Sequence, residues 1–251
     1  MIIDMHAHVG PAIKDERLRT IADGHPQNNV EEYLKAMDKA GVDMAVTFGF
    51  LDIDIEYQAK IQKKYPDRII SFAWVNPRHP DAVNLFKHGV EDLELKGLKL
   101  HGFWHQTPYS SHVMLDPLIE ICDKYNLPVI LHTEGGNAFT TPLHAEELAK
   151  RWPKVNFVMS HGGMWWSARE ALLVAKRTAN LYFDNAASET VMVSIWVEEI
   201  GANRVVMGSD WPWNYLDGVV KTTEISVPNP EDRKWVMGKT AAKLLGLRIK
   251  E

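Results

Sequence analysis

Apolar positions along the chain follow two periods. Eight short runs, rich in Ile, Val, Leu and Phe, read as strands: Ile2–His8, Asp43–Phe48, Ile69–Val75, Gly97–His101, Val129–His132, Asn156–His161, Leu181–Asp184 and Arg204–Gly208. Between them lie longer segments with helical spacing. In the first, Val30–Ala40, the residues Val30, Tyr33, Leu34 and Met37 share one face, and Gly41 supplies the stop. The others cover Ile55–Lys64, Asp81–Leu93, Leu115–Tyr125, Pro142–Arg151, Trp166–Ala179, Glu189–Ile200 and Pro230–Leu245. Pro66, Pro128 and Pro153 stand just past helix ends, where a residue without an amide hydrogen is tolerated.

A strand followed by a helix, repeated eight times, predicts a parallel sheet wrapped in helices. Eight such units close a (β/α)₈ TIM barrel of the α/β class, expected here as one domain over residues 1–251. An open doubly wound sheet would want a glycine-rich phosphate loop after the first strand. That position reads His6-Ala7-His8-Val9-Gly10 and has no such pattern.

Composition narrows the classes of function. Basic residues are scattered through a chain of net charge −5, so nucleic acid is not an expected partner. The first strand meets a charge at Asp4, and no apolar run approaches the ~18 residues of a membrane span, so no membrane is expected and a cytoplasmic location is. The lone Cys122 excludes an intramolecular disulfide. With Leu115, Leu118 and Ile119 it completes a helical stripe and is expected to pack, not to react.

In a barrel of this type the active site forms where the strands end at their C-terminal sides. Histidines and an aspartate at or just past the ends of these runs are the candidates: His6 and His8, His101, His132, His161 and Asp210. Period-two alternation then sets which neighbours face the helices. With His132 inward, Val129 and Leu131 face outward; with His161 inward, Val158 does; with Asp210 inward, Val205 and Met207 do. Leu98 and Leu100 take the helix side and leave Lys99 and His101 inside. Asp4 shares the inward face with His6 by this reading and needs a buried partner, for which Lys99 is the expectation. Chance alone would supply about half an H-x-H pair from 11 histidines, so the placement of His6 and His8 matters more than the motif. Two residues apart on a strand, both imidazoles share a face and can bind one ion at about 2.0–2.1 Å, with further ligands from other strands.

Five segments, in order, carry a resemblance. Ile3-Asp4-Met5-His6-Ala7-His8, Gly97-Leu98-Lys99-Leu100-His101, Val129-Ile130-Leu131-His132, Ser160-His161-Gly162-Gly163 and Gly208-Ser209-Asp210-Trp211-Pro212 resemble the successive motifs of the amidohydrolase superfamily. The branch is the one that includes aminocarboxymuconate-semialdehyde decarboxylase and many metal-dependent hydrolases. The resemblance implies that His6, His8, His132 and Asp210 hold one divalent metal ion. It also implies that Asp210 shuttles protons and that His161 acts as acid or base beside the metal-bound water or substrate oxygen. Zinc is the first expectation, with manganese and iron as alternatives, and no organic cofactor is implied. Members with two metals bridge them with a carboxylated lysine, a role not expected of Lys99.

The remaining candidates surround the mouth. His101 either touches substrate or orients a ligand. Trp104 and Trp211, with Phe103, Trp165, Trp166 and Trp213, suit the wall of a pocket for a small planar molecule. Arg78, with Lys14, Arg17 and Arg19 in the first loop, is either an ordinary loop charge or a seat for a substrate carboxylate. The first expectation is hydrolysis of an amide, ester or lactone bond of a small molecule through a metal-activated water. The alternatives are metal-dependent, non-oxidative decarboxylation of an aromatic or muconate-like acid, and a catalytically silent metal-binding barrel. The expected partner is a small-molecule substrate, and a homodimer is the assembly considered.

Overall fold

A computed structural model of the chain describes residues 1–10, 29–50 and 55–248. Lys14, Arg17, Arg19 and His25 lie outside the described residues. The strands are β1 Ile3–His8, β2 Met44–Phe48, β3 Ile69–Ser71, β4 Ala73–Trp74, β5 Leu98–Leu100, β6 Val129–Glu134, β7 Phe157–Gly163, β8 Leu181–Asp184 and β9 Val205–Val206. All their pairings are parallel, in the orders β1-β2-β3 and β4 through β9. β3 and β4 are one stave interrupted at Phe72, whose N–H donates to the Thr47 carbonyl at 2.8 Å, while the next N–H, of Ala73, reaches Gly97 on the other side at 2.9 Å. At the opposite seam Met5 N–H donates to Met207 O at 2.8 Å, Asp210 N–H to His6 O at 2.7 Å and His8 N–H to Trp211 O at 2.7 Å. The sheet is therefore closed, as the eightfold repeat predicts.

The helices are α1 Val30–Ala40, α2 Ile55–Lys64, α3 Ala82–Glu91, α4 His112–Tyr125, α5 Pro142–Arg151, α6 Met164–Lys176, α7 Thr190–Ile200, α8 Leu216–Ser226, α9 Pro230–Lys234 and α10 Thr240–Leu244. Asn29 caps α1 by accepting from Glu32 N–H, and Gly41 ends it at φ 70°. Two differences from the expected elements have local causes. α8 went unforeseen because Gly218 and a run of β-branched residues weaken its helical propensity, although Leu216, Val219, Val220 and Thr223 do fall at helical spacing. The segment expected as one helix over Pro230–Leu245 runs on without a gap but passes through a π-turn at Trp235–Lys239, where Gly238 packs against the Met1 carbonyl.

Alternation divides the apolar residues into an outer layer and a barrel interior. Val129, Leu131, Phe157, Met159, Leu98 and Leu100 pack with helix residues such as Leu115, Leu118 and Leu148. Cys122 lies fully buried in that layer, and its burial pushes the thiol pKa up, away from reactivity. Ile130, Val158, Tyr182, Val206, Phe48 and Phe72 fill the interior, with Ala241 and Leu244 of α10 in the same cluster.

Candidate active site and metal centre

Two backbone irregularities aim the rim side chains, and both correct the simple alternation. The register of β1 against β2 shifts between Asp4 and Ala7, so one residue is inserted and Asp4 does not share a face with His6. Its carboxylate is held instead by the Tyr33 hydroxyl of α1 at 2.6 Å, the Ser209 hydroxyl, and the backbone N–H groups of Ser209 at 2.8 Å and His6 at 3.0 Å. Lys99 is thus not its partner. The lysine is fully buried inside the barrel, 3.2 Å from Ser160 Oγ and over the Phe48 ring, and burial pulls its pKa down to about 8 against the pull of Asp184 and Asp210. On β7, Val158 faces the interior with Ile130, not outward. His161 reaches the site because its own backbone turns into the left-handed region at φ 63°, which interrupts the alternation. Gly162 follows at φ 52°, where a Cβ would lie 2.1 Å from the Trp196 indole. Gly208 is required by proximity, since a Cβ there would meet His6 Cβ at 2.9 Å.

The histidines carry their protons on defined nitrogens. His6 Nδ1 donates to Asp184 at 2.8 Å, His8 Nδ1 to the Gly49 carbonyl at 2.8 Å, and His161 Nδ1 to the Ala186 carbonyl at 3.1 Å. Each, in its neutral form, therefore presents an Nε2 lone pair. His6 Nε2 lies 3.2 Å and His8 Nε2 3.4 Å from the same oxygen of Asp210. His6 Nε2 is buried without a hydrogen-bond donor. A lone pair aimed at a carboxylate oxygen is a repulsive pairing that a cation between them relieves. Among the described residues, ligand atoms within 4.8 Å of one another form two groups that share His6: one with His8 and Asp210, the other with His161 and Asp184. Three imidazoles and carboxylate oxygens suit a divalent ion, so the residues present fit such a group.

Of the residues expected from the sequence, His6, His8 and Asp210 come together directly, and His161 joins through His6. His132 stands in neither group; its Nδ1 is 3.2 Å from His161 Nε2. His101 stacks on His132 with ring centroids 3.7 Å apart and planes at 13°. Burial, followed by the charge of His132, drives its pKa far down, so it is a neutral ring packed against its neighbour. Trp104 is 55% exposed at the mouth. Trp211 is placed elsewhere: it is buried in the outer layer, 5.4 Å from the Tyr33 ring, because the residue after an inward Asp210 points to the helices. Phe50 and Trp74, which flank His8 at 4.8 and 5.5 Å, are aromatic neighbours that sequence reasoning missed. Arg78 is exposed and donates to the Gln106 carbonyl at 3.4 Å.

Two acidic residues were also missed. Asp184 ends β8 fully buried; besides His6 it accepts from the N–H groups of His161 and Ala186, each at 3.0 Å. Burial works against its ionisation, but His6 and His161 hold its pKa down at about 2. Glu134 lies at the end of β6, which runs two residues past His132, and its carboxylate is 3.5 Å from His132 Nε2. Both positions were legible, Asp184 as a strand-terminal acid in step with Tyr182, and Glu134 in step with Ile130 and His132. The electrostatics are consistent with neutral imidazoles at His8 and His161 beside an ionised acid. Burial lowers His8 and His161 to about 4, and Asp210, despite its burial, is held well below the usual carboxylate range by His6, His8 and His161. Burial and Lys99 would depress His6 too, but Asp184 and Asp210 together raise it.

The amidohydrolase family profile matches residues 3–247. The chain belongs to the amidohydrolase family. A curated relative, the gamma-resorcylate decarboxylase of Rhizobium sp. (strain MTP-10005), is 26% identical over 207 residues, covering 61% of this chain and 63% of that protein. The chain's match thus spans less than two thirds of the relative's length. Among solved structures, an uncharacterized TIM-barrel protein from Bordetella bronchiseptica superposes with a TM-score of 0.83 at 21% identity, covering 98% of each chain. A dihydroxybenzoic acid decarboxylase from Polaromonas sp. JS666, with bound manganese and the inhibitor 2-nitroresorcinol, superposes with a TM-score of 0.78 at 16% identity, covering 99% of this chain and 98% of that one. These likenesses establish the barrel. The curated relative also corrects the first functional expectation: it is a decarboxylase, and hydrolysis of an amide, ester or lactone is not supported. No helix among the described residues is long and apolar enough to cross a membrane.

Proposed function

We propose that this amidohydrolase-family chain is a metal-dependent, non-oxidative decarboxylase of a small aromatic or muconate-like carboxylic acid, acting as one catalytic unit. The observation that carries the reading is the convergence of His6 and His8 Nε2 on one oxygen of Asp210, with Nδ1 of each already committed to an acceptor. The choice of decarboxylation over other metal chemistry rests on the similarity to the gamma-resorcylate decarboxylase.

His6, His8, His132 and Asp210 would hold one divalent ion. Manganese is the first to test, because the Polaromonas protein holds it, and zinc the second. The ion, when bound, supplies positive charge that orients the substrate's oxygens and steadies negative charge developing on them. The reaction needs no oxidant or reductant: the bond from carbon to carboxylate breaks, carbon dioxide leaves, and a proton takes its place on the carbon. Asp210 is ionised and His161 neutral near pH 7, so each can accept a proton from the substrate and return one to carbon. Phe50 and Trp74 supply apolar walls beside His8 that suit a flat substrate, and Trp104 stands at the rim. His101 acts through the ring it stacks on. The partner is a small molecule, and the cytoplasmic location and a homodimer belong to the same proposal.

The test is a panel assay of manganese- or zinc-loaded protein with hydroxybenzoic and muconate-like acids, following carbon dioxide release beside ester, lactone and amide cleavage. Carbon dioxide release that a chelator abolishes is the expected result. Metal uptake with no turnover on any acid would favour the silent barrel instead.

A further inference from the structure

The loop after β5 is a folded unit of its own. Residues 101–111 close on themselves through His105 N–H to the His101 carbonyl at 3.1 Å, Gln106 N–H to Phe103 O at 3.2 Å and Thr107 N–H to Gly102 O at 2.9 Å. The buried Tyr109 hydroxyl ties the loop to β6: it accepts from Gly102 N–H at 3.2 Å and donates to the His132 carbonyl at 2.7 Å. Phe103 and Trp104 ride on this loop and are exposed.

His105, on the same loop, is buried instead. Its Nε2 lies 3.2 Å from the indole Nε1 of Trp74, with the two rings edge to face at 88°. An indole N–H only donates, so the roles in this bond are fixed: Trp74 gives and His105 Nε2 accepts. Trp74 ends β4 and packs 5.5 Å from the His8 ring and 5.7 Å from the His101 ring. The bond thus joins the end of one stave to the loop that follows the next. Trp74 is only 4% exposed, so it offers a substrate no more than an edge and works by fixing where its neighbours stand. A buried donor stripped of its acceptor is costly. Without His105 the indole would turn toward water, into the space beside His8.

We infer that His105 is a positioning residue for substrate shape: by holding the Trp74 indole it fixes the loop 101–111 against the His8 side of the mouth and keeps a rigid slot that favours a flat ring over a puckered one. This rests on the reading above, a site for a small flat acid, and names what sets its shape. A slot held from both sides gains its selectivity by being pre-organised, because no slack remains to fit a thicker molecule.

Two measurements on His105→Leu test it. The first is the ¹H–¹⁵N spectrum of the tryptophan indoles in metal-free protein, with the Trp74 signal assigned by its absence in Trp74→Phe. In the parent that proton should resonate downfield and exchange slowly with deuterium; in His105→Leu it should move upfield and exchange faster. The second is calorimetric binding of benzoate and of cyclohexanecarboxylate to manganese-loaded protein, two acids of similar size that differ in planarity. His105→Leu should lower the preference for benzoate about 3–10-fold, the value of one net hydrogen bond. His105→Gln, whose amide oxygen can accept in place of Nε2, should restore both readouts toward the parent. In a Trp74→Phe background His105→Leu should change the preference no further. An indole signal that does not respond to His105→Leu overturns the inference, and so does a shifted signal with an unchanged preference, which would leave His105 a purely structural partner. A parent that binds neither acid overturns the flat-acid reading and the shape-selecting role with it, while the indole spectra still decide whether His105 holds Trp74.

Discussion

His6 and His8 sit two residues apart on one bulged strand and place both Nε2 atoms within 3.4 Å of Asp210, whereas His132 and His161 come from neighbouring strands and meet each other at 3.2 Å. The first pair needs only a local insertion and two acceptors behind it. Its alignment is written into six consecutive residues and one seam of the barrel. The second pair depends on a left-handed residue, a stacked ring and a structured loop, none of them adjacent in the chain. Similar imidazole chemistry is thus reached once by local geometry and once by tertiary packing, and the two should fail differently when disturbed.

The largest effect is expected on the packed side. His161→Ala should retain most of its bound ion, because His6, His8 and Asp210 still converge, yet lose roughly 10²–10⁴-fold in kcat as an acid–base group disappears. Metal content and carbon dioxide release measured on one preparation check this; loss of the ion would make His161 a ligand and not a proton carrier. On the local side Asp184→Asn keeps the volume but weakens the acceptor behind His6, and a loss of about 10–100-fold in metal affinity is expected. Unchanged affinity would mean that the bulge alone positions His6.

The smallest effect is one both pairs share. His8 and His161 have pKa values near 4 when folded, below the ~6.5 of an unfolded histidine. Between pH 6.5 and 4 the unfolded chain binds protons that the folded chain refuses, so stability present above 6.5 is lost as pH falls through this window. His132, also held well below its ordinary value by burial, adds to the loss. His6 works in the opposite sense, being raised, and Asp184, near 2, stays ionised throughout. Metal-free protein should therefore melt at a lower temperature at pH 5 than at pH 7.5. A midpoint that holds steady or rises would show that these rings are protonated within the fold.

Much of this was legible in the chain. Strand order, the barrel and the strand-terminal histidines follow from period and position alone, and α1, α2 and α5 have the expected bounds. What alternation mishandled were the sites where the backbone departs from it. Asp4 was assigned the wrong face because an inserted residue in β1 is invisible to a period-two pattern, and Val158 because His161 was assumed to be regular extended chain. Trp211 was grouped with the mouth by proximity in sequence, although the residue after an inward aspartate points outward. Asp184 was passed over because it looked like the ordinary end of a strand.

The seam between the first and last staves has a consequence for how this protein comes into being. The amide of Asp210 bonds the carbonyl of His6, so the link that closes the cylinder also joins two of the groups that would grip the cation. Some two hundred residues must be synthesised between them, and a nascent chain still short of Asp210 has neither a closed wall nor a complete grip. Ion capture would then report that the ring has shut, and a ribosome-stalled fragment ending before that aspartate should take up far less metal than the released polypeptide.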